Sequence, residues 1–269
     1  MTLVNSWKSL LLAGLPLALA SSVASASLIG QWTFEGSNAL ADTQGNFGNL
    51  QLMGNASITG GKLDVNGSGT TATGWARTTG YSGPTITDKT LVVWVAMQNL
   101  SNVANAGSAM TIDRIGSDQF DGIIYGEQQA NRWLPGSSYW WRTQALNPGY
   151  TETATNTLVQ MAFAYDDLGG GQMSVTGYRN GINIGSYITA NATSWSAGDT
   201  EILFGIRHAA GLSGPGAIDA LISEARLYNT ALSQSEVQGL SLNPVPEPES
   251  LALMGLGLLL LGRARKNRG

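Results

Sequence analysis

The sequence predicts an all-β domain of two antiparallel sheets packed face to face, and three observations carry that reading. Glycine supplies 35 of 269 residues while charged residues supply only 12%, a mixture that with abundant Thr, Ser and Asn suits short strands and tight turns better than helices. Two runs, Leu91 to Met97 (LVVWVAM) and Leu158 to Tyr165 (LVQMAFAY), are apolar on both faces and read as central strands. Between Met173 and Tyr187 two extended runs flank Asn180-Gly181, a pair that tolerates the positive φ angles of a type I′ hairpin turn.

The leader comes first in chain order. Lys8 is its positive charge, Leu10 to Leu19 its apolar run, and Ala24 and Ala26 the small residues of a cleavage site, so 1–26 reads as a secretory signal peptide. The alternative, a buried N-terminal helix, is interrupted by Pro16. The first strand opens at Leu28, where Leu28, Gly30, Trp32 and Phe34 alternate with Ile29, Gln31, Thr33 and Glu35 to give one apolar face.

After the two central strands and the hairpin, Thr200 to Arg207 adds a strand with Ile202, Phe204 and Ile206 on one face, and Gly216 to Tyr228 the last. In Leu232 to Val237, Ser233 can cap the amide of Glu236 and Leu232 can staple onto Val237, which predicts a short helix covering an edge of the sandwich. No repeat and no internal linker divides 27–243, which is one domain.

Nine Lys or Arg against sixteen Asp or Glu between Ser27 and Asn243 leave that domain near −7, the wrong field for a nucleic-acid partner. With no cysteine in the chain, an exported domain has no disulfides and depends on its core or on a bound ion. Calcium is the expected ion, because hard oxygen ligands are abundant; Asp42 in ADTQGN is one candidate ligand.

The tail, 244–269, has three parts. Val245, Pro246, Glu247 and Pro248 form an extended strip. Leu251 to Leu261 is apolar or glycine, and as a helix would cover about 17 Å, short of the ~30 Å hydrocarbon core. Arg263, Arg265, Lys266 and Arg268 make a basic tip that the positive-inside rule holds on the cytoplasmic side.

This order resembles the PEP-CTERM sorting signal. The resemblance implies an exosortase-type membrane protease as partner and a transient membrane contact through the C-terminal helix. It also implies delivery to the envelope or extracellular matrix of a two-membrane bacterium that makes exopolysaccharide. A plain tail anchor is the competing reading.

Three further stretches, WTFEG, LVQMAFAYDD followed by YRNGINIGSY, and IDALISEARLYNTALSQSEVQGL, resemble LamG-like domains, the concanavalin A-like jelly rolls, over roughly Ser27 to Leu240. FDGIIYGEQQANRWLPGSSYWWRT and FGIRHAAG are similar to segments of a LamG-like group in large bacterial envelope proteins. The resemblance implies a jelly roll with a structural calcium between the first and last strands, here through Glu35, Gly36 and Asp219. For Asp219 an ordinary solvent-facing place on the final strand is the alternative. Chemistry is left open, since this fold hosts lectins, glycosidases, adhesion modules and spacers.

A single histidine and no cysteine exclude most zinc, copper and haem sites and any thiol nucleophile. No G-x-S-x-G elbow and no alternating E-x-D-x-x-E strand is present; Asp113, Asp118, Asp121 and Glu127 are the main acidic cluster. Sugar binding asks only for aromatic plates and a few polar groups. Arg132, Trp133, Tyr139, Trp140, Trp141 and Arg142 are packed into one stretch, in which strand alternation would turn one of Trp140 and Trp141 outward and the other inward.

Trp133 falls in an expected loop, and Arg207 and His208 end a strand before a glycine-rich loop. The candidate ligand-binding set is therefore Glu127, Arg132, Trp133, Trp140, Arg142, Arg207 and His208. Against it stand core packing for the tryptophans, pairing of Arg207 with Glu127 or Asp121, and a backbone carbonyl for His208. The function expected is a non-catalytic carbohydrate-binding or adhesion component. The rivals are a purely structural protein and a polysaccharide-active enzyme.

Overall fold

The computed structural model describes residues 26–68, 71–100, 107–209 and 216–242. Ala24 and the strip Val245, Pro246, Glu247 and Pro248 lie outside the described residues.

Fourteen strands are described: β1 (Leu28–Trp32), β2 (Gln51–Gly54), β3 (Ser57–Thr59), β4 (Lys62–Ser68), β5 (Thr71–Thr78), β6 (Lys89–Met97), β7 (Ser108–Arg114), β8 (Phe120–Tyr125), β9 (Trp133–Ser137), β10 (Val159–Gly169), β11 (Gln172–Arg179), β12 (Ile182–Ala190), β13 (Thr200–Phe204) and β14 (Ala220–Tyr228). One helix, α1 (Gln234–Gly239), follows. Every strand pair is antiparallel, in the order β12-β11-β10-β6-β14-β4-β5-β13-β7-β8-β9, with β1 on β14, β2 on β5 and β3 on β4.

The two expected sheets are thus one ladder curled over itself. The corner is β4, whose Leu63 to Val65 pair with β14 while Asn66 to Ser68 pair with β5, with a shift of register between Asn66 and Gly67. Gly67 permits the bend: a Cβ there would meet the Cβ of Ala217 at 2.3 Å and the carbonyl oxygen of Thr71 at 2.8 Å.

Both runs expected to be central are central. β6 is buried along its whole length, and β10 from Val159 to Tyr165. The Asn180-Gly181 turn joins β11 to β12 with φ of 50° and 72°, as a type I′ hairpin requires. The first strand ends earlier than its alternation suggests: Phe34, at φ 59°, is fully buried but off the ladder. Gln31, on the supposedly polar face, is buried and donates to Glu224 Oε1 at 2.7 Å.

Inside the curl, Trp32 meets Phe47 and Phe204 at ring distances of 5.4 and 5.7 Å, and Phe47 stacks on Tyr81 at 4.6 Å. Helix α1 has the expected capping box between Ser233 and Glu236. It covers a face and not an edge. Val92 and Trp94 of β6 and Ala162 and Ala164 of β10 point away from the main core and pack with Leu232 and Val237. Strands apolar on both faces need a cover on the outer one, and α1 supplies it.

Candidate functional site

The candidate site is a cleft of about 460 Å³ where the β8–β9 hairpin, the turn after β9 and the segment after β13 converge. On one side stand Tyr139 and Trp140, on the others Asp118, Glu127, Arg207 and His208, with Phe120 and Ser137 completing the lining.

The aromatic side is built by a coil where sequence alternation implies a strand. Ser138–Trp140 is a 3-10 turn with Tyr139 and Trp140 at φ 49° and 57°. Each such residue costs roughly 1–2 kcal/mol. The coil is held by bonds from Trp141 N to Ser138 O (3.0 Å), from Thr143 N to Trp140 O (3.2 Å) and from Arg142 N to Ser137 Oγ (2.8 Å). Out of strand geometry the alternation rule fails, and Tyr139, Trp140 and Trp141 are all exposed, at 68%, 56% and 52%. Tyr139 and Trp141 lie 5.4 Å apart, ring to ring, so the aromatic surface extends beyond the cleft.

Arg142 is the anchor of this coil and has no place in a ligand surface. It is 1% exposed; its Nε lies 2.6 Å from Asp121 Oδ1, and its other nitrogens donate to Asn191 O at 3.0 Å and Phe120 O at 3.1 Å. Asp121 also holds the fully buried Lys89, with Oδ2 3.0 Å from Nζ. Trp133 is likewise removed from any ligand surface. It opens β9 opposite Tyr125, 2% exposed, with the two rings 4.8 Å apart, because the expected loop is a strand whose first side chain faces the core. Arg132 donates to Thr151 Oγ1 at 3.0 Å, ties down the 148–151 loop and stands outside the cleft.

The other four predicted residues do meet. Arg207 Nη1 donates to Glu127 Oε1 at 2.5 Å, one of the two pairings open from the sequence, and both side chains are nearly buried. Glu127 Oε2 is buried with no hydrogen-bond partner among the described residues. His208 stacks on Phe120 at 5.2 Å, and its Nε2 lies 3.6 Å from Asp118 Oδ1. Asp118, Phe120, Ser137 and Tyr139 are the cleft residues that the candidate set omitted. For Asp118 and Tyr139 the signal was faint, since Asp118 sits in a turn and Tyr139 stands beside two tryptophans.

Beneath the cleft segment, Asp113 accepts from Ala209 N at 3.2 Å. Burial pushes its carboxyl up to about 8.

Glu35 lines a small cavity with Lys62, Ser223 and Glu224, and Asp219 does not line it. The carboxyl of Asp219 is raised by partial burial and by the charge of Asp64. Asp42 is filled from within, accepting from the amides of Gln31, Gln44, Asn46 and Phe47 at 2.8–3.1 Å. Among the described residues no group of three His, Asp or Glu side chains is placed to hold a metal. Among the described residues no helix is long and apolar enough to cross a membrane.

No curated protein sequence matches the chain. Among solved structures, domain 4 of AbnA, a GH43 extracellular arabinanase from Geobacillus stearothermophilus in complex with arabinotriose, has a TM-score of 0.50 at 21% identity, over 79% of this chain and 97% of that one. The binding domain of botulinum neurotoxin serotype D/C has a TM-score of 0.55 at 15% identity, over 79% and 51%. A structure of botulinum neurotoxin type C, whose cell entry depends upon interaction with two ganglioside molecules, has a TM-score of 0.52 at 16%, over 79% and 50%. The chain thus spans about half the length of the toxin chains, and these likenesses speak for the fold alone. The family model of the concanavalin A-like lectin/glucanases superfamily matches residues 53–238 and that of the PEP-CTERM protein-sorting motif residues 244–266. The chain belongs to the concanavalin A-like lectin/glucanases superfamily and ends in a PEP-CTERM sorting motif.

Proposed function

We propose that this is an exported, non-catalytic carbohydrate-binding protein of the bacterial envelope or extracellular matrix, with the Tyr139–Trp140 cleft as its binding site. The observation that carries the reading is the aromatic shelf: three large rings exposed together on a strained coil, beside a cleft of polar groups. Aromatic plates stack on the apolar faces of sugar rings while polar neighbours take the hydroxyls. A purely structural protein would have no use for strain that keeps three aromatic side chains in water. The arabinotriose complex and the ganglioside dependence of the two neighbours are in keeping with a glycan ligand.

The two carboxylates of the cleft speak against the enzyme reading, since Asp118 stands at the exposed rim beside His208 and Glu127 lies buried. Of the two carboxylates in the cleft, Glu127 is 3% exposed and committed to the Arg207 guanidinium, whereas glycoside hydrolysis needs one carboxyl free to protonate the leaving oxygen.

Trp140→Ala should weaken binding to oligosaccharides of the host exopolysaccharide by about 2 kcal/mol, some thirtyfold. Because the side chain is exposed, the thermal midpoint should stay within about 2 °C. Titration calorimetry beside a melting curve reads both. Unchanged affinity in Trp140→Ala, or no binding by the parent domain, would reject the assignment.

The sorting motif supports release by an exosortase-type protease, after transient anchoring by the apolar segment that follows it. Intact mass spectrometry should find a form that begins near Ser27 and ends between Pro246 and Glu249, and that disappears when the protease is deleted. A membrane-bound form still carrying Arg263 to Arg268 in the presence of the protease would mean a plain anchor instead.

A further inference from the structure

The cleft is unbalanced toward hydrogen-bond acceptors and negative charge. Two carboxylates, Asp118 and Glu127, face one guanidinium, Arg207, and that guanidinium is already matched by Glu127 at 2.5 Å. Glu127 Oε2 is an acceptor within a residue that is 3% exposed, and it has no hydrogen-bond partner among the described residues. Such an atom is a net cost to the fold until a donor reaches it. Asp118, with 34% of its side chain exposed, presents a second carboxylate at the rim. The remaining basic groups described in this region are engaged: Lys89 and Arg142 are buried against Asp121, Arg132 lies outside the cleft, and His208 stacks on Phe120 with its Nε2 3.6 Å from Asp118 Oδ1.

We infer that the site selects glycans without acidic groups, whose hydroxyls donate to Glu127 and Asp118, and rejects uronate-bearing polymers. The inference rests on the carbohydrate-binding reading above and adds the chemical class of the ligand. A uronate carboxylate entering the cleft would meet two carboxylates and a guanidinium already paired, so desolvating it goes uncompensated. A neutral pyranose or furanose unit brings hydroxyl donors for the unpartnered oxygen and an apolar face for Trp140. Discrimination of this kind comes as much from repelling the wrong ligand as from holding the right one.

The test is affinity electrophoresis of the domain 27–243 through gels containing either a neutral polymer, such as a β-glucan or arabinan, or a polyuronate, such as alginate or polygalacturonate. Runs are made with and without about 1 M salt, where the screening length is about 3 Å. Salt removes the general repulsion between the −7 domain and a polyanion, so any preference that survives belongs to the cleft.

Retardation by a neutral polymer at least tenfold stronger than by polyuronate, in salt, and lost in Trp140→Ala, is expected. Asp118→Asn, at the rim where folding is not at risk, should narrow that ratio by several-fold. Equal or stronger Trp140-dependent retardation by polyuronate would overturn the inference and leave the binding reading standing. Retardation by neither polymer, or retardation indifferent to Trp140, would overturn the binding reading and this inference with it.

Discussion

Asp121→Ala should destabilise the domain by about 3–5 kcal/mol, because it strands two buried cations. Lys89 and Arg142 are 0% and 1% exposed by side chain and share the two oxygens of Asp121 at 3.0 and 2.6 Å. Lys89 stands over the Tyr165 ring at 4.3 Å. Burial holds its ammonium below the usual lysine range, and Asp121 is the main opposing influence.

The cluster also joins the two halves of the curl, since Lys89 is on β6, Asp121 on β8, and Arg142 reaches the carbonyl of Asn191 just past β12. A loss of this size should lower the thermal midpoint by roughly 10 °C in a domain of this length. Lys89→Met should cost much less, because Asp121 then keeps Arg142 and the lost ammonium was the surplus charge. Melting curves for the two variants decide the matter; equal losses would mean that packing, and not charge, holds this corner. Arg142 fixes the Trp140 coil through Ser137, so Asp121→Ala should also blunt glycan binding at temperatures where the domain is still folded.

That cluster illustrates what the sequence hides. The central strands were legible because residues such as Val92 to Val95 leave no polar face, and the Asn180-Gly181 turn because few pairs accept two positive φ angles. The capping box was legible because its two bonds are local. Arg142 looked like a ligand because an arginine beside tryptophans has the composition of a sugar site. Its true partner lies twenty-one residues away across a strand pair, and no local pattern announces that.

The Tyr139–Trp141 coil was missed for the same reason. Alternation assumes a strand, and the bonds that impose a 3-10 turn come from the surrounding backbone. Four of the seven candidate ligand residues nonetheless share one cleft. Arg207 and His208 mark a strand end, Trp140 a turn and Glu127 the β8–β9 connection, and a sandwich gathers such places at its ends.

The second large effect is one of pH, and it comes from Asp113. This residue of β7 lies directly opposite Glu201 of β13, and the nearby cation Arg77 is bonded to Glu201 at 2.7–2.8 Å. Asp113 accepts from Ala209 N at 3.2 Å, and the backbone N–H of Arg114 also favours its charged form. Burial first, and then the neighbouring Glu201 charge, pushes its carboxyl from 3.8 up to about 8. The folded domain therefore holds this proton across the interval in which the unfolded chain has released it. Since the native state binds more protons there, its stability falls as pH rises from about 4 to 8. Below that window the residue carries no penalty, and above it the penalty is complete, on the order of 5 kcal/mol at ~1.4 kcal/mol per pH unit.

Asp113→Asn keeps an acceptor for Ala209 and cannot ionise. Urea denaturation should find the variant and its parent alike at pH 4 and should find the variant several kcal/mol more stable at pH 9. Parallel stability curves across that range would show that Asp113 is ionised in the folded domain, and so that a cation or water reaches it.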